Sequence, residues 1–307
     1  MSLAEQLVVD PCASPLIRVR SPGRAALAAL RPRQWSKNLL LFAGLIFAAK
    51  LGDVERWLEA STAFVAYCAA SSAAYLVNDV LDAESDRGHP MKRHRPIASG
   101  QLAPGTALLL AGVLTSGALA LAALLGFWSL LTMSGFAALQ GAYSLRLKHV
   151  VLVDVVAIAA LFVLRATAGA EAVDVPISPW LLVCTALLAL FLALAKRRGE
   201  LVLVGATSTP GRPVLAGYSL VLVDRLVAVV AASAVIAYSL YALTAHGSKA
   251  MVLTIPFVCF GILRYLVLVH RHDLGEEPEQ VLLSDVPILV TVAAWAATAA
   301  TILAITG

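Results

Sequence analysis

Long apolar runs recur along this chain, separated by short polar punctuation. They lie near residues 33–50, 57–81, 105–125, 127–145, 151–170, 178–195, 213–242, 250–270 and 284–306. Each is close to the roughly 20 residues a helix needs to cross a bilayer core. Only a turn near Gly126 separates the third run from the fourth. Alanine and leucine dominate and strict alternation is absent, so the runs predict helices and not the strands of a barrel. Small residues inside them, such as Ser71, Ser72, Gly112, Gly135 and Gly141, suit close helix–helix contact. The pattern therefore predicts an all-α integral membrane protein, a nine-transmembrane-helix bundle. Residues 1–24 are polar and broken by Pro11, Pro15 and Pro22, with no apolar core of a signal peptide. They read as a flexible tail, with residues 25–307 as one transmembrane domain.

Composition supports the membrane reading. Of 307 residues, 60% are apolar and 14% charged, and the mean hydropathy is +0.85. Soluble domains carry about 25% charged residues. The four cysteines, Cys12, Cys68, Cys184 and Cys259, are scattered and predict neither disulfides nor a thiolate metal site. The six histidines show no ligand spacing for a transition metal.

Charge placement fixes an expected topology. Seventeen lysines and arginines fall in the amino-terminal stretch up to Lys37 and in the loops after the second, fourth, sixth and eighth runs. The opposite loops hold only Lys50, Arg56 and Lys249. The positive-inside rule then predicts a cytoplasmic amino terminus and an outward carboxyl terminus. The polar ends that carry chemistry would face the cytoplasm, in a multi-pass protein of the cell (plasma) membrane. Arg18, Arg20 and Arg24 suit anionic lipid. No nucleic-acid partner is expected. The oligomeric state is left open, a homo-oligomer included.

The densest polar stretch is NDVLDAESDRGHPMKRHRPIASG, residues 78–100. Asn78, Asp82 and Asp86 are spaced i, i+4, i+8, so a continuous helix would project all three from one stripe, with Asp79 beside it. Like charges at that spacing cost a helix roughly 0.2–0.5 kcal/mol per pair. A divalent cation would offset this. Mg²⁺ favours a few carboxylates plus phosphate oxygens and water, which makes Asn78, Asp79, Asp82 and Asp86 candidate ligands of a Mg²⁺–diphosphate. The alternative is a solvated helix end making surface ion pairs. Pro90 predicts a helix stop near His89. Lys92, Arg93 and Arg95 follow as candidate phosphate binders, since arginine forks match phosphate oxygens. The topological charge signal alone would account for them equally well.

Other polar residues sit where soluble loops do not explain them. Lys37 and Asn38 lie where the first run begins and could reach the same mouth. Asp154 and Arg165 are eleven apart in the fifth run, on one helical face. Ionisable residues inside spans are expensive and usually belong to a site. Asp154 is read as a site residue, while Arg165 could pair with Asp154, or with Asp224, for structure alone. Asp224 and Arg225 are each expected to find a partner inside the bundle.

NDVLDAESD resembles the NDxxDxxxD signature of the UbiA-type intramembrane prenyltransferases, and the resemblance runs from about Leu27 to Thr306. It implies a nine-helix catalytic domain in which this motif binds Mg²⁺ and a diphosphate. RPRQWSKN (31–38), the long form of the acidic motif and YSLRLKH (143–149) are similar to the branch that joins a polyprenyl phosphate to phosphoribosyl pyrophosphate. Tyr143 and Lys148 resemble the family's tyrosine/lysine motif with one extra residue between them. Where the family pattern carries a second aspartate motif, this chain has KRRGEL (196–201), with Glu200 its only acid. A basic second wall would suit free phosphates with less metal, the 5-phosphate of a phosphoribosyl donor or the phosphate of a polyprenyl phosphate, with Lys196, Arg197 and Glu200 as substrate contacts.

The resemblance implies a Mg²⁺-dependent glycosyltransferase that makes decaprenylphosphoryl-5-phosphoribose for cell-wall arabinan (arabinogalactan) synthesis, with Asp82, Asp86 and Asp154 catalytic. The alternative in the same fold moves a prenyl group from a prenyl diphosphate to an aromatic or lipid acceptor. A non-catalytic carrier fits less well, because charges gather at one face and no internal repeat is evident.

Overall fold

The computed structural model describes residues 21–47, 52–89, 92–207, 213–244, 249–271 and 284–306. The described residues form helices and connecting turns, with no strand among them. The α-helices are α1 (Pro22–Ala29), α2 (Ala43–Phe47), α3 (Val54–Leu81), α4 (Ala83–Arg87), α5 (Pro104–Leu125), α6 (Phe127–Leu145), α7 (Val153–Ala172), α8 (Pro179–Thr207), α9 (Leu220–Thr244), α10 (Ile255–Arg271) and α11 (Val286–Thr306).

Among the described residues, six helical stretches are long and apolar enough to cross a membrane: Val54–Leu81, Pro104–Leu125, Val153–Ala172, Pro179–Gly205, Leu220–Thr244 and Ala250–His270. Two of the nine expected spans differ from a long apolar helix for identifiable reasons. The first is a 3₁₀ segment, Pro32–Phe42, leading into the short α2. The fourth, α6, dilutes its apolar residues with Ser129, Thr132, Ser134, Gln140 and Ser144. The ninth expected span is the 21-residue apolar helix α11, Val286–Thr306. Helix α1 starts at Pro22, inside the stretch expected to be a tail. The expectations for Cys12, Arg18, Arg20, Lys50, Pro90 and Arg212 fall outside the described residues.

Small side chains set the spacing of the bundle. The buried face of α3 is alanine-rich (Ala60, Ala63, Ala66, Ala70, Ala73) and meets a similar row on α5 (Ala107, Ala111, Ala118, Ala122). Close approach of this kind supplies van der Waals contact where lipid offers no hydrophobic drive. The 3₁₀ segment lies against α7 so tightly that a Cβ on Gly169 would sit 2.2 Å from the Leu41 carbonyl oxygen. The outer surface carries exposed Leu109, Val113, Leu124, Val229, Leu263 and Val290. A belt of this kind belongs in lipid. Helix α3 begins on an Asp53 cap, whose carboxylate accepts from the backbone N–H groups of Glu55 and Arg56 at 3.0 and 3.4 Å. It runs the length of the bundle and delivers Asn78 and Asp79 to the opposite end.

Candidate active site

The acidic segment does not form one stripe. Helix α3 stops at Leu81 and Asp82 sits outside regular helix geometry, with φ −93° and ψ 1°. Hydrogen bonding nevertheless continues through the break, from Asp82 N–H to the Asn78 carbonyl (2.9 Å) and from Asp86 N–H to the Asp82 carbonyl (2.8 Å). The offset splits the acids into two groups. Asn78 and Asp82 face Lys148, whose Nζ donates to Asn78 Oδ1 at 3.1 Å and to the Asp82 carboxylate at 2.8 and 3.1 Å. Asp79 and Asp86 turn to the basic loop. Arg95 Nη1 donates to Asp79 Oδ1 at 3.2 Å and to Asp86 Oδ2 at 2.6 Å. A second arginine, Arg31, reaches the same Asp79 oxygen at 2.5 Å. The helix ends at Arg87, with Gly88 as its cap, slightly earlier than Pro90 predicts. Arg93 is exposed, and Lys92 begins a short 3₁₀ turn, Lys92–His94.

The basic second wall also differs from expectation. Arg197, 1% exposed, donates Nε to the fully buried Asp154 at 2.6 Å and also pairs with Glu200 through Nη1. Its Nη2 lies 3.4 Å from the Tyr143 hydroxyl. Arg198 pairs with Asp224 at 2.8 Å and donates to the Val269 carbonyl. The KRRGEL arginines are thus paired with carboxylates of this chain. Lys196 is half-buried beside them.

Asp154 also accepts from the Tyr218 hydroxyl at 2.7 Å, and that hydroxyl accepts from the Leu152 N–H at 2.8 Å. Burial first, and then the bond to Asp154, push the Tyr218 hydroxyl up to about 12, so it remains a proton donor. Sequence reasoning missed Tyr218. It lies 64 residues from Asp154, and a single tyrosine within the expected apolar run 213–242 carries no local signal.

Arg165 pairs with neither Asp154 nor Asp224. Its Nε donates to Asn38 Oδ1 at 2.7 Å and its Nη1 to the Leu161 carbonyl at 3.1 Å. The guanidinium lies over the rings of Phe136 (4.7 Å) and Phe162 (5.2 Å), an arrangement that stabilises a buried cation. Asn38 also donates to Cys68 Sγ at 3.3 Å. Cys68 stands ten residues before Asn78, about 15 Å down α3 at 1.5 Å per residue. Asn38 and Arg165 therefore tie the interior together, well below the acidic mouth. Lys37 is half-buried one residue away. Asp224 meets its expectation of an internal partner, whereas Arg225 is exposed.

The acidic mouth can be tested for a metal. Among the described residues, no group of three or more His, Cys, Asp or Glu converges as a metal cage. Mg²⁺ does not need one, because it binds through one or two carboxylates and completes its shell with phosphate oxygens and water. Asn78 and Asp82 already place hard oxygens around one cation, the Lys148 ammonium. That donor set fits Mg²⁺ arriving with a phosphate ligand.

A lipid-facing helical bundle with charged, oxygen-rich chemistry at one end is the build of an intramembrane transferase. The chain matches the UbiA prenyltransferase family over residues 39–286, and it belongs to that family. It is 36% identical to the decaprenyl-phosphate phosphoribosyltransferase of Mycobacterium tuberculosis (strain H37Rv), over 96% of this chain and 97% of that one. It is 35% identical to the protein of the same name in Mycolicibacterium smegmatis, over 89% and 90% of the two chains. A UbiA homolog from Archaeoglobus fulgidus, solved bound to DMAPP and Mg²⁺, superposes with a TM-score of 0.70 at 20% identity, over 89% of this chain and 97% of that one. The protein is thus a multi-pass membrane transferase of the UbiA family.

Proposed function

We propose that this enzyme transfers 5-phosphoribosyl from phosphoribosyl pyrophosphate to decaprenyl phosphate, giving decaprenylphosphoryl-5-phosphoribose and diphosphate. The observation that carries the reading is the near full-length similarity to the two decaprenyl-phosphate phosphoribosyltransferases, at 35–36% identity. In this reading residues 25–307 are one catalytic domain of nine spans with a cytoplasmic amino terminus in the cell membrane. The acidic mouth takes its donor from the cytosol, and the product feeds cell-wall arabinan synthesis. The positive-inside distribution supports the orientation.

Asn78 and Asp82 are the residues that would hold Mg²⁺. When bound, Mg²⁺ supplies charge neutralisation on the departing diphosphate. Lys148, already shared between Asn78 and Asp82, stands where it can pass to a phosphate oxygen as a point charge. The bond from ribose C1 to the diphosphate oxygen breaks and a new bond forms from C1 to an oxygen of the lipid phosphate. That nucleophile is already anionic near pH 7, because a phosphate monoester's second pKa is about 6. No general base is required, and positioning supplies much of the acceleration. Tyr143 and Lys148 leave one end of α6 for the two halves of the site, Tyr143 towards Arg197 and Lys148 towards Asp82.

The prenyl-transfer alternative draws on structural neighbours solved with GPP or DMAPP and Mg²⁺. Those neighbours are about 20% identical, so their likeness concerns the fold. Membranes containing the protein, labelled phosphoribosyl pyrophosphate, decaprenyl phosphate and Mg²⁺ test the choice. Label in the lipid fraction is expected. Unlabelled lipid, with prenyl transfer from a diphosphate in a parallel assay, would overturn the proposal.

A further inference from the structure

Asp79 was expected among the metal ligands, yet its surroundings are those of a different device. It is 2% exposed, whereas the side chain of Asp82 is 35% exposed. Its Oδ1 is shared by two guanidiniums from separate parts of the chain, Arg31 at 2.5 Å and Arg95 at 3.2 Å. Asp86, also buried, holds Arg95 alone. The two arginine side chains keep 26% and 25% of their surface, so their heads emerge around a carboxylate that does not.

Arg31 is held with unusual care. It takes the left-handed conformation, φ 54° and ψ 60°, directly before Pro32, where a β-carbon is unfavourable and the helical region is disfavoured. Such a backbone persists only where its surroundings over-determine it. Its carbonyl accepts from Gln34 N–H at 2.8 Å, and its guanidinium lies 4.8 Å over the ring of Tyr75, one turn before Asp79 on α3. Trp35 and Leu30 on either side are fixed to Ser72 of the same helix at 3.0 and 2.9 Å. The amino-terminal segment is thus clamped to α3 so that one guanidinium arrives at one carboxylate. A guanidinium has five N–H donors in a rigid fork, and the bond to Asp79 engages one of Arg31's.

We propose that Asp79 is a positioning residue: it fixes Arg31 and Arg95 as a two-arginine clamp for the donor's phosphates and is not itself a metal ligand. This rests on the proposed phosphoribosyl transfer for the identity of the donor, but the division of labour between Asp79 and Asp82 can be read without turnover.

The test uses the full-length protein in nanodiscs. Mn²⁺ binding is followed by electron paramagnetic resonance, and binding of inorganic diphosphate by calorimetry. Loss of a charge-assisted contact corresponds to about ten- to hundredfold in affinity. Asp82→Asn is therefore expected to weaken Mn²⁺ by about tenfold or more, and Asp79→Asn to leave it within about threefold. Asp79→Asn should instead weaken diphosphate about tenfold and raise KM for phosphoribosyl pyrophosphate more than it lowers kcat. Arg31→Ala should reproduce that pattern, Arg31→Lys should recover part of it, and the double variant with Asp79→Asn should add little. If Asp79→Asn fails to fold, the Arg31 pair of variants carries the same test. Equal loss of Mn²⁺ in Asp79→Asn and Asp82→Asn would overturn the assignment, as would unchanged diphosphate affinity in Arg31→Ala. If wild type puts no ribosyl label into lipid, the proposed function fails, while the Mn²⁺ and diphosphate measurements still decide the role of Asp79.

Discussion

Asp154→Asn separates a building role for this buried acid from a direct role in the reaction. The wild-type carboxylate is fully buried and accepts two hydrogen bonds, from Arg197 at 2.6 Å and Tyr218 at 2.7 Å. The asparagine keeps the shape and one acceptor for Tyr218 but removes the charge opposite Arg197. Breaking a fully buried ion pair costs roughly 3–5 kcal/mol when the remaining charge is uncompensated. Here Glu200 still faces the guanidinium. The loss should fall to that of one charge-assisted hydrogen bond, about 2 kcal/mol. At about 2–4 °C per kcal/mol for chains of a few hundred residues, Tm should drop by about 4–8 °C. Arg197→Ala leaves two carboxylates without their cation and should reach the full range, about 3–5 kcal/mol. The Asp154→Leu/Arg197→Met double variant should be less damaged than the sum of Asp154→Leu and Arg197→Met alone, because the two residues are in contact. Thermal unfolding in one detergent at one scan rate reads each variant against wild type. An Asp154→Asn protein with wild-type Tm but no transfer would refute the structural account and return Asp154 to the reacting groups.

Three other outcomes follow from the geometry. Lys148→Ala should lower kcat/KM by about 10²-fold, close to 2.7 kcal/mol of lost charge stabilisation, with Lys148→Arg recovering only part of it, as steady-state kinetics would show. Chelation should stop transfer and Mg²⁺ should restore it more fully than Ca²⁺, because Mg²⁺ holds phosphate oxygens in a tighter octahedral shell; a chelator titration with metal add-back measures this. Gly169→Ala forces a Cβ against the Leu41 carbonyl at 2.2 Å, which backbone cannot rotate away from, and should destabilise by about 1–3 kcal/mol. Gly112→Ala, facing open space, is its neutral control in the same melt.

The parts that could be read from sequence are those set by composition and short spacing. Apolar run lengths gave α3, α5, α6, α7 and α11 to within about three residues at each end, because burial in lipid demands an apolar run of that length, whereas α8 continues twelve residues past the expected 195 and α9 starts seven residues after 213. The acidic and basic halves of residues 78–100 were legible for the same local reason. What escaped was partner choice. Arg165 shares a helical face with Asp154, yet it is satisfied by Asn38, 127 residues away, and by two rings. Asp154 instead found Arg197 and Tyr218 on later segments. Spacing within one helix says which side chains are neighbours there, and it is silent about which helix packs alongside. The same limit applies to KRRGEL: its arginines look unpartnered in the sequence, and the fold brings Asp154, Glu200 and Asp224 to them.

The pairing at the mouth bears on how a highly charged donor could enter at all. Bare acids at the end of a membrane helix repel one another, and an unpaired buried charge costs several kcal/mol. Here Asp79, Asp82 and Asp86 each hold a cation of the protein: Arg31 and Arg95, Lys148, and Arg95 respectively. In the proposed reaction a metal–diphosphate brings one cation and one anion together. Asn78 and Asp82 would hold the metal where they now hold Lys148, and the Lys148 ammonium would then be free to pair with a phosphate oxygen of the donor. Each charge changes partner without being left alone, so the exchange avoids the desolvation cost that separate binding of metal and anion would incur. Metal and diphosphate should therefore bind with strong positive coupling, each raising the other's affinity by the same factor. Removing Lys148 should shrink that coupling, because the metal site would then be open before the anion arrives.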